Sequence, residues 1–197
     1  MERQYDLDTI KKAQKEMRES YMNGSGGVIV SGLVWLTSAG VTYSMSVRQG
    51  MWTLLIGGAL IVPLSIIVHK MMGVKGSHSK ENALGNLAME GTIFMLMMIP
   101  IAFVLSLKNA NWFFQAMLLI IGGRYLGFQT IYGNKVFWIL GGLLGIAGYF
   151  LFVYKASATA TLITGGMIEI IFGIYLFLSR QKSANKIPKE TDQAGVA

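Results

Sequence analysis

MWTLLIGGALIVPLSIIVHKM, residues 51–71, holds its one lysine back to position 70 and is otherwise almost wholly apolar. A helix of roughly 20 apolar residues crosses the hydrocarbon core of a bilayer, so this stretch predicts a membrane span. Stretches of the same kind lie near residues 24–46, 87–107, 112–132, 136–154 and 160–180, and little chain is left over. Composition agrees, since 53% of the 197 residues are hydrophobic and only 14% charged. That balance excludes a disordered, collagenous or ordinary soluble chain. The expected fold is an all-α integral membrane protein with a six-helix transmembrane domain at 24–180. A cytoplasmic amphipathic segment at 1–23 precedes it, and a disordered cytoplasmic tail at 181–197 follows.

The net charge of +7 makes no stripe suited to nucleic acid and reads instead as a topology signal. Thirteen of the seventeen Lys and Arg flank the spans on one side, whereas only Arg48, Lys108 and Lys155 flank them on the other, and Arg124 lies inside a span. Both termini are therefore expected in the cytoplasm, with Trp52 and Trp112 as anchors at the outer interface. Residues 1–23 set five basic against five acidic side chains, without the apolar core of a cleavable signal. Leu7, Ile10, Met17 and Tyr21 recur there at helical spacing, and Asp8 is placed to cap the start. Such a helix either docks on a membrane surface or partner, or is a solvated lead-in held by pairs such as Lys12 with Glu16.

Gly-Gly recurs in TLLIGGALI (53–61), LLIIGGRYL (118–126) and TLITGGMIE (161–169), which suggests three repeated helical hairpins in parallel orientation; glycine in packed membrane helices is the competing explanation. Pro63 and Pro100 fall inside spans, where each removes a backbone donor and frees the carbonyl four residues earlier, on Ala59 and Leu96. Gly123, Gly127 and Gly145 are expected at close helix seams, and Gly141, Gly145 and Gly148 on one packing face of the fifth span.

Chemistry-bearing residues are few. Without cysteine there is no disulfide, Fe–S cluster or thiolate metal site, and two histidines make a poor metal centre, so no metal or cofactor is expected. No nucleophile elbow, zinc-protease motif or P-loop is present, and an enzyme is not expected. Within the spans, Arg124, Tyr125, Gln129 and Tyr132 share a broad arc of the fourth. Glu169 in the sixth stands four residues from Gly165 and from Gly173, on a face turned to another helix. Arg124 and Glu169 are expected at similar depth, as an intramembrane pair that is direct or runs through Tyr125, Gln129 or water. Trp35 belongs to a mildly polar face of the first span with Ser31, Ser38 and Thr42. Ser65 and His69 share a face past Pro63, and Glu90 stands near the start of the third span. This set, Arg124, Glu169, Tyr125, Gln129, Tyr132, Ser65, His69, Trp35 and Glu90, is the candidate ligand-binding group; each member also has a structural use in helix packing or at the interface. His78 falls in a Gly, Ser and Lys-rich loop and is expected in solvent.

GMWTLLIGGALIVPLS (50–65) and RYLGFQTIYG (124–133) resemble segments of an uncharacterised family of small bacterial multi-pass membrane proteins. The resemblance covers about residues 24–180 and implies residence in the bacterial inner membrane, with no activity or site to carry over. The hairpin pattern is also loosely similar to acid-resistance membrane proteins with Gly-rich helix pairs. Two function classes follow. One is a transporter or channel-like protein that binds a small polar or amphipathic solute among kinked helices. The other is a non-catalytic stress, sensory or partner-stabilising membrane factor, with lipid binding as one form of it. The partners expected are membrane lipids and a small solute, not nucleic acid, and a homo-oligomer is compatible with the sequence.

Overall fold

The computed structural model describes the backbone of residues 2–71, 73–74 and 76–184, without the side chains of 2–6, 69, 71 and 181–184. The described residues are helical and carry no strand. The helices are α1 (Glu2–Ser20), α2 (Ser25–Ser44), α3 (Val47–Met71), α4 (Ala83–Ser106), α5 (Trp112–Tyr132), α6 (Val136–Val153) and α7 (Ala158–Ala184). Five are long and apolar enough to cross a membrane: α2, α3, α4, α6 and α7. The remaining long helix of the bundle, α5, is diluted by Gln115, Arg124 and Gln129. Helix α7 continues through Ala184, so the first residues of the expected tail are helical; 185–197 lie outside the described residues.

Chain punctuation follows local chemistry. A short 3-10 turn, Met22–Gly24, joins α1 to α2 in left-handed backbone, with φ of 56° at Asn23 and 74° at Gly24. Gly24 pays no Cβ penalty there. Gly133, at φ 61°, ends α5 in the same conformation. Asn82 caps α4 by accepting the Leu84 N–H at 3.1 Å.

The bundle is organised around α2 and α5. Helix α2 packs on α7 and α3, and α5 packs on α6 and α4; the tightest unions are α2 with α7 and α5 with α6. Backbones nearly touch at both. A Cβ on Gly32 would come within 3.0 Å of the Gly166 carbonyl, and one on Gly122 within 2.7 Å of the Gly141 carbonyl. Gly123 and Gly127, expected at such seams, instead face open space, whereas Gly145 gives its backbone to the seam, its N 3.1 Å from a Cβ on Gly122. On a helix, consecutive residues point about 100° apart, so the Gly122–Gly123 pair gives only one member to the seam. Between the unions Trp35, Phe113, Phe114, Leu118, Phe137 and Leu162 are fully buried.

Helices α3 and α4 lie at the periphery. Over the apolar window of each helix, 56% of α2 is buried, against 11% of α3 and 6% of α4. Their exposed faces carry Leu60, Ile67, Phe94 and Met97 among many apolar side chains, a surface suited to lipid rather than water. Both helices continue through Pro63 and Pro100.

Helix α1 lies across one end of the bundle, its second half tied to the protein while Leu7 and Ile10 stay exposed. Met17 is buried. Gln14 Nε2 donates to the Thr130 carbonyl at 2.8 Å and an Arg18 guanidinium N–H to the Tyr132 carbonyl at 2.7 Å. These last carbonyls of α5 lack helical partners, and a cation suits the negative end of the helix dipole. Helix α1 begins at Glu2, ahead of Asp8, which is therefore no N-cap. Glu16 does not take Lys12 but accepts from Ser79 N at 2.6 Å and Asn82 Nδ2 at 2.8 Å. The exposed ion pair is Lys15 with Glu19 at 3.9 Å.

Candidate functional site

Helix α3 leans on α2 and α4 on α5, but no comparable packing joins α3 to α4. They meet far from α1, where the Trp52 and Phe103 rings lie 6.2 Å apart. Between them the bundle encloses a cavity of about 420 Å³ walled by α2, α3, α4 and α5. Along α3 it runs from Leu54 to Ser65, about 16 Å at helical rise. Its walls are chiefly Val, Leu, Ile, Met and aromatic side chains. Ala59 and Leu96, whose carbonyls the prolines deprive of a helical donor, are both in the lining.

One charged side chain lines this cavity. Arg124 projects from α5 toward α4, donating to Thr92 Oγ1 at 3.1 Å and making a weak contact to Met95 Sδ at 3.7 Å. Its guanidinium carbon stands 5.3 Å from the centroid of the Phe128 ring, a cation–π arrangement. Among the described residues, its buried Nε–H has no acceptor and no carboxylate reaches salt-bridge distance. A guanidinium offers five N–H donors. Here its contact partners are a hydroxyl, a thioether and a ring, none of them an anion.

Arg124 also forms part of a shallower groove of about 290 Å³ between α4 and α5, on the far side of the guanidinium. Exposed Glu90 lines this groove with Phe94, Gly123 and Gly127. The two glycines leave the gap that the groove fills.

The sequence candidates divide by position. Arg124, Tyr125, Tyr132, Trp35 and Ser65 line the cavity, although Ser65 Oγ bonds the Val62 carbonyl of its own helix at 2.8 Å. Gln129 is half-buried outside the lining, Glu90 belongs to the outer groove, and the His69 side chain lies outside the described residues. Glu169 is fully buried on α7, behind the wall that Ser31, Trp35 and Tyr125 form. Those three lie within electrostatic range of the carboxyl, yet neither oxygen completes a hydrogen bond with them. The direct Arg124–Glu169 ion pair is absent; Tyr125, between the two in their mutual field, is the nearest link. Arg124 is drawn away because Thr92 and Met95 occupy the α4 face opposite it.

Sequence reasoning missed Thr92 and Met95, whose spacing of three on α4 was the available signal. It also missed the polar contacts at the α1 end. There Tyr21, itself at the cavity rim, has its hydroxyl 2.7 Å from His78 Nδ1, and Gly76 N donates to the Ser20 carbonyl at 3.1 Å. His78 is thus half-buried rather than free in solvent. Burial and the Glu16 charge raise the Tyr21 phenol above its ordinary value. The Ser79 N–H and then the Asn82 amide hold the Glu16 carboxyl below its own. Helix α1 therefore binds residues 76–82 and, through Asn82, the start of α4.

A family model described as a family of unknown function (DUF7010) matches residues 10–179, and the chain belongs to that family. Comparison with curated proteins and comparison with solved structures each return no match.

Proposed function

We propose that this member of a family of unknown function is a transporter-type membrane protein that binds an amphipathic anion in the cavity between α3 and α4. The observation that carries the reading is Arg124, a half-buried cation at the edge of a long apolar cavity, with no carboxylate among the described residues at salt-bridge distance. Apolar walls take a hydrocarbon chain, and the guanidinium takes an acidic head through charge-assisted hydrogen bonds. The gap between α3 and α4 gives lateral access from the bilayer. In this reading α2–α7 make six spans as three hairpins in the bacterial inner membrane, with α1 and both termini in the cytoplasm. Helix α5 crosses despite its polar residues because two of them turn toward neighbouring helices: Gln115 is buried and donates to the carbonyls of Leu151 and Ala156 at 3.2 and 3.1 Å, and Arg124 faces α4.

Decanesulfonate, which stays ionised across the working pH range, tests the reading against decanol in lipid nanodiscs. Wild type should bind the anion, and R124Q should bind it at least about tenfold more weakly, as expected for a lost hydrogen bond to a charged group. Decanol binding should be unaffected. Equal affinity of both proteins for decanesulfonate would overturn the assignment. Single cysteines at Gln49, Asn109 and Ser157 should react with an impermeant external reagent while one at Ser77 does not; the reverse would invert the topology. The second reading, a lipid-binding stress, sensory or partner-stabilising factor without transport, draws on the same apolar walls. Binding of decanesulfonate with no flux in proteoliposomes would favour it.

A further inference from the structure

We propose that Glu169 is a proton-binding site, reached from the cavity through the Tyr125 hydroxyl, and that its proton binds together with the amphipathic anion. This coupling rests on the reading above. Glu169 is fully buried, makes no salt bridge, and neither of its oxygens completes a hydrogen bond. Around it α7 is packed tightly: a Cβ on Gly165 would meet Leu118 at 2.7 Å, and one on Gly173 would meet Ile29 at 2.5 Å. A carboxyl enclosed in this way is satisfied by a proton or by a cation. Its surroundings select the proton. Ser31 and Tyr125 supply one oxygen each and Trp35 only an N–H, too few ligands for a hard cation that takes about six oxygens or more. Arg124 adds a field that repels a second cation.

Among the described residues, the ionisable groups facing Glu169 are Tyr125 and Arg124 of α5, while α2 contributes Ser31 and Trp35. Helix α6 has Tyr149 as its one ionisable side chain, and that residue is exposed. Tyr125 connects the two spaces, because it lines the cavity and its hydroxyl interacts with both Ser31 and Glu169. A hydroxyl donates one proton while accepting another. Tyr125 can therefore pass its proton to the Glu169 carboxylate and take one from the cavity, ending as a neutral phenol. An anion at Arg124 cancels the guanidinium field that favours the carboxylate, so anion binding draws in a proton. By reciprocity, the proton strengthens anion binding by the same factor.

Infrared difference spectroscopy on protein in nanodiscs, without added anion, tests the site itself. Lowering the pH should raise a protonated-carboxyl band that is missing in E169Q, and Y125F should retain the band but slow its hydrogen–deuterium exchange by tenfold or more. A band unchanged in E169Q, or one abolished by sodium, would overturn the proton site; unaltered exchange in Y125F would overturn the relay. Calorimetry of decanesulfonate in two buffers of different ionisation enthalpy then tests the coupling. Wild type should take up about one proton per anion and bind more weakly as pH rises, and E169Q should do neither. Binding with no proton uptake would overturn the coupling while leaving the anion site standing. Failure of decanesulfonate to bind would overturn the anion reading and the coupling together, with the carboxyl band still deciding the proton site.

Discussion

The α2–α7 and α5–α6 unions and the α3/α4 side of the bundle are built from similar residues and packed in opposite ways. Each union places backbone against backbone at Gly32 and Gly166 or at Gly122 and Gly141, with aromatic and leucine side chains filling the space beside it. On the other side, a Cβ added at Gly58, Gly91, Gly123 or Gly127 would meet nothing within 4 Å. Glycine serves two purposes here. In the unions it permits close approach, which drives helix association in lipid where apolar burial gives little advantage. Around the cavity it leaves room. The packed half is thus a frame that holds Tyr125 and Glu169, and the loose half is where the proposed ligand would enter.

The widest gap between the halves is expected from leucine substitution. Gly122→Leu and Gly166→Leu should each destabilise by about 3 kcal/mol or more, since a backbone carbonyl within 3.0 Å of each new Cβ has no rotamer to change. Loss of the monodisperse peak in detergent would show it. Gly123→Leu and Gly127→Leu should keep that peak while filling the outer groove. Equal damage at all four positions would erase the distinction.

A smaller effect is expected where α1 ties the loose half down. Asn82→Ala removes an N-cap and the amide bonds to the Ala13 carbonyl and to Glu16, and should cost about 1–2 kcal/mol. Amide exchange should rise first in α1 and in the start of α4, with α6 and α7 unchanged. Uniform acceleration throughout the bundle would mean that the two halves unfold as one.

The smallest effect is a pH dependence confined to the same contact. The Glu16 carboxyl is held below its ordinary value in the folded chain, so its contribution is present above the unfolded value and is lost as pH falls through the depressed one. Because the carboxyl is exposed, the change should appear as local protease sensitivity of α1 below the ordinary carboxylate value of 4.5 rather than as loss of the fold. E16Q should abolish the pH step.

The amino-acid sequence by itself determined the membrane class, the long apolar helices, the amphipathic character of α1 and the inward placement of Glu169, because hydropathy and helical periodicity are properties of a single segment. It also marked Arg124, Tyr125, Tyr132, Trp35 and Ser65, five residues that came together around one cavity. Partner choice belonged to the tertiary structure alone. Arg124 turns to Thr92 rather than Glu169, and Gly122 rather than Gly123 makes the seam with α6. Glu16 leaves Lys12, a neighbour along its own helix, for Ser79 and Asn82 some sixty residues away. The physical reason is common to all three: the rotation of one helix against the next decides which of several eligible side chains meet. That rotation is set by the packing of all the helices at once, so no single segment encodes it.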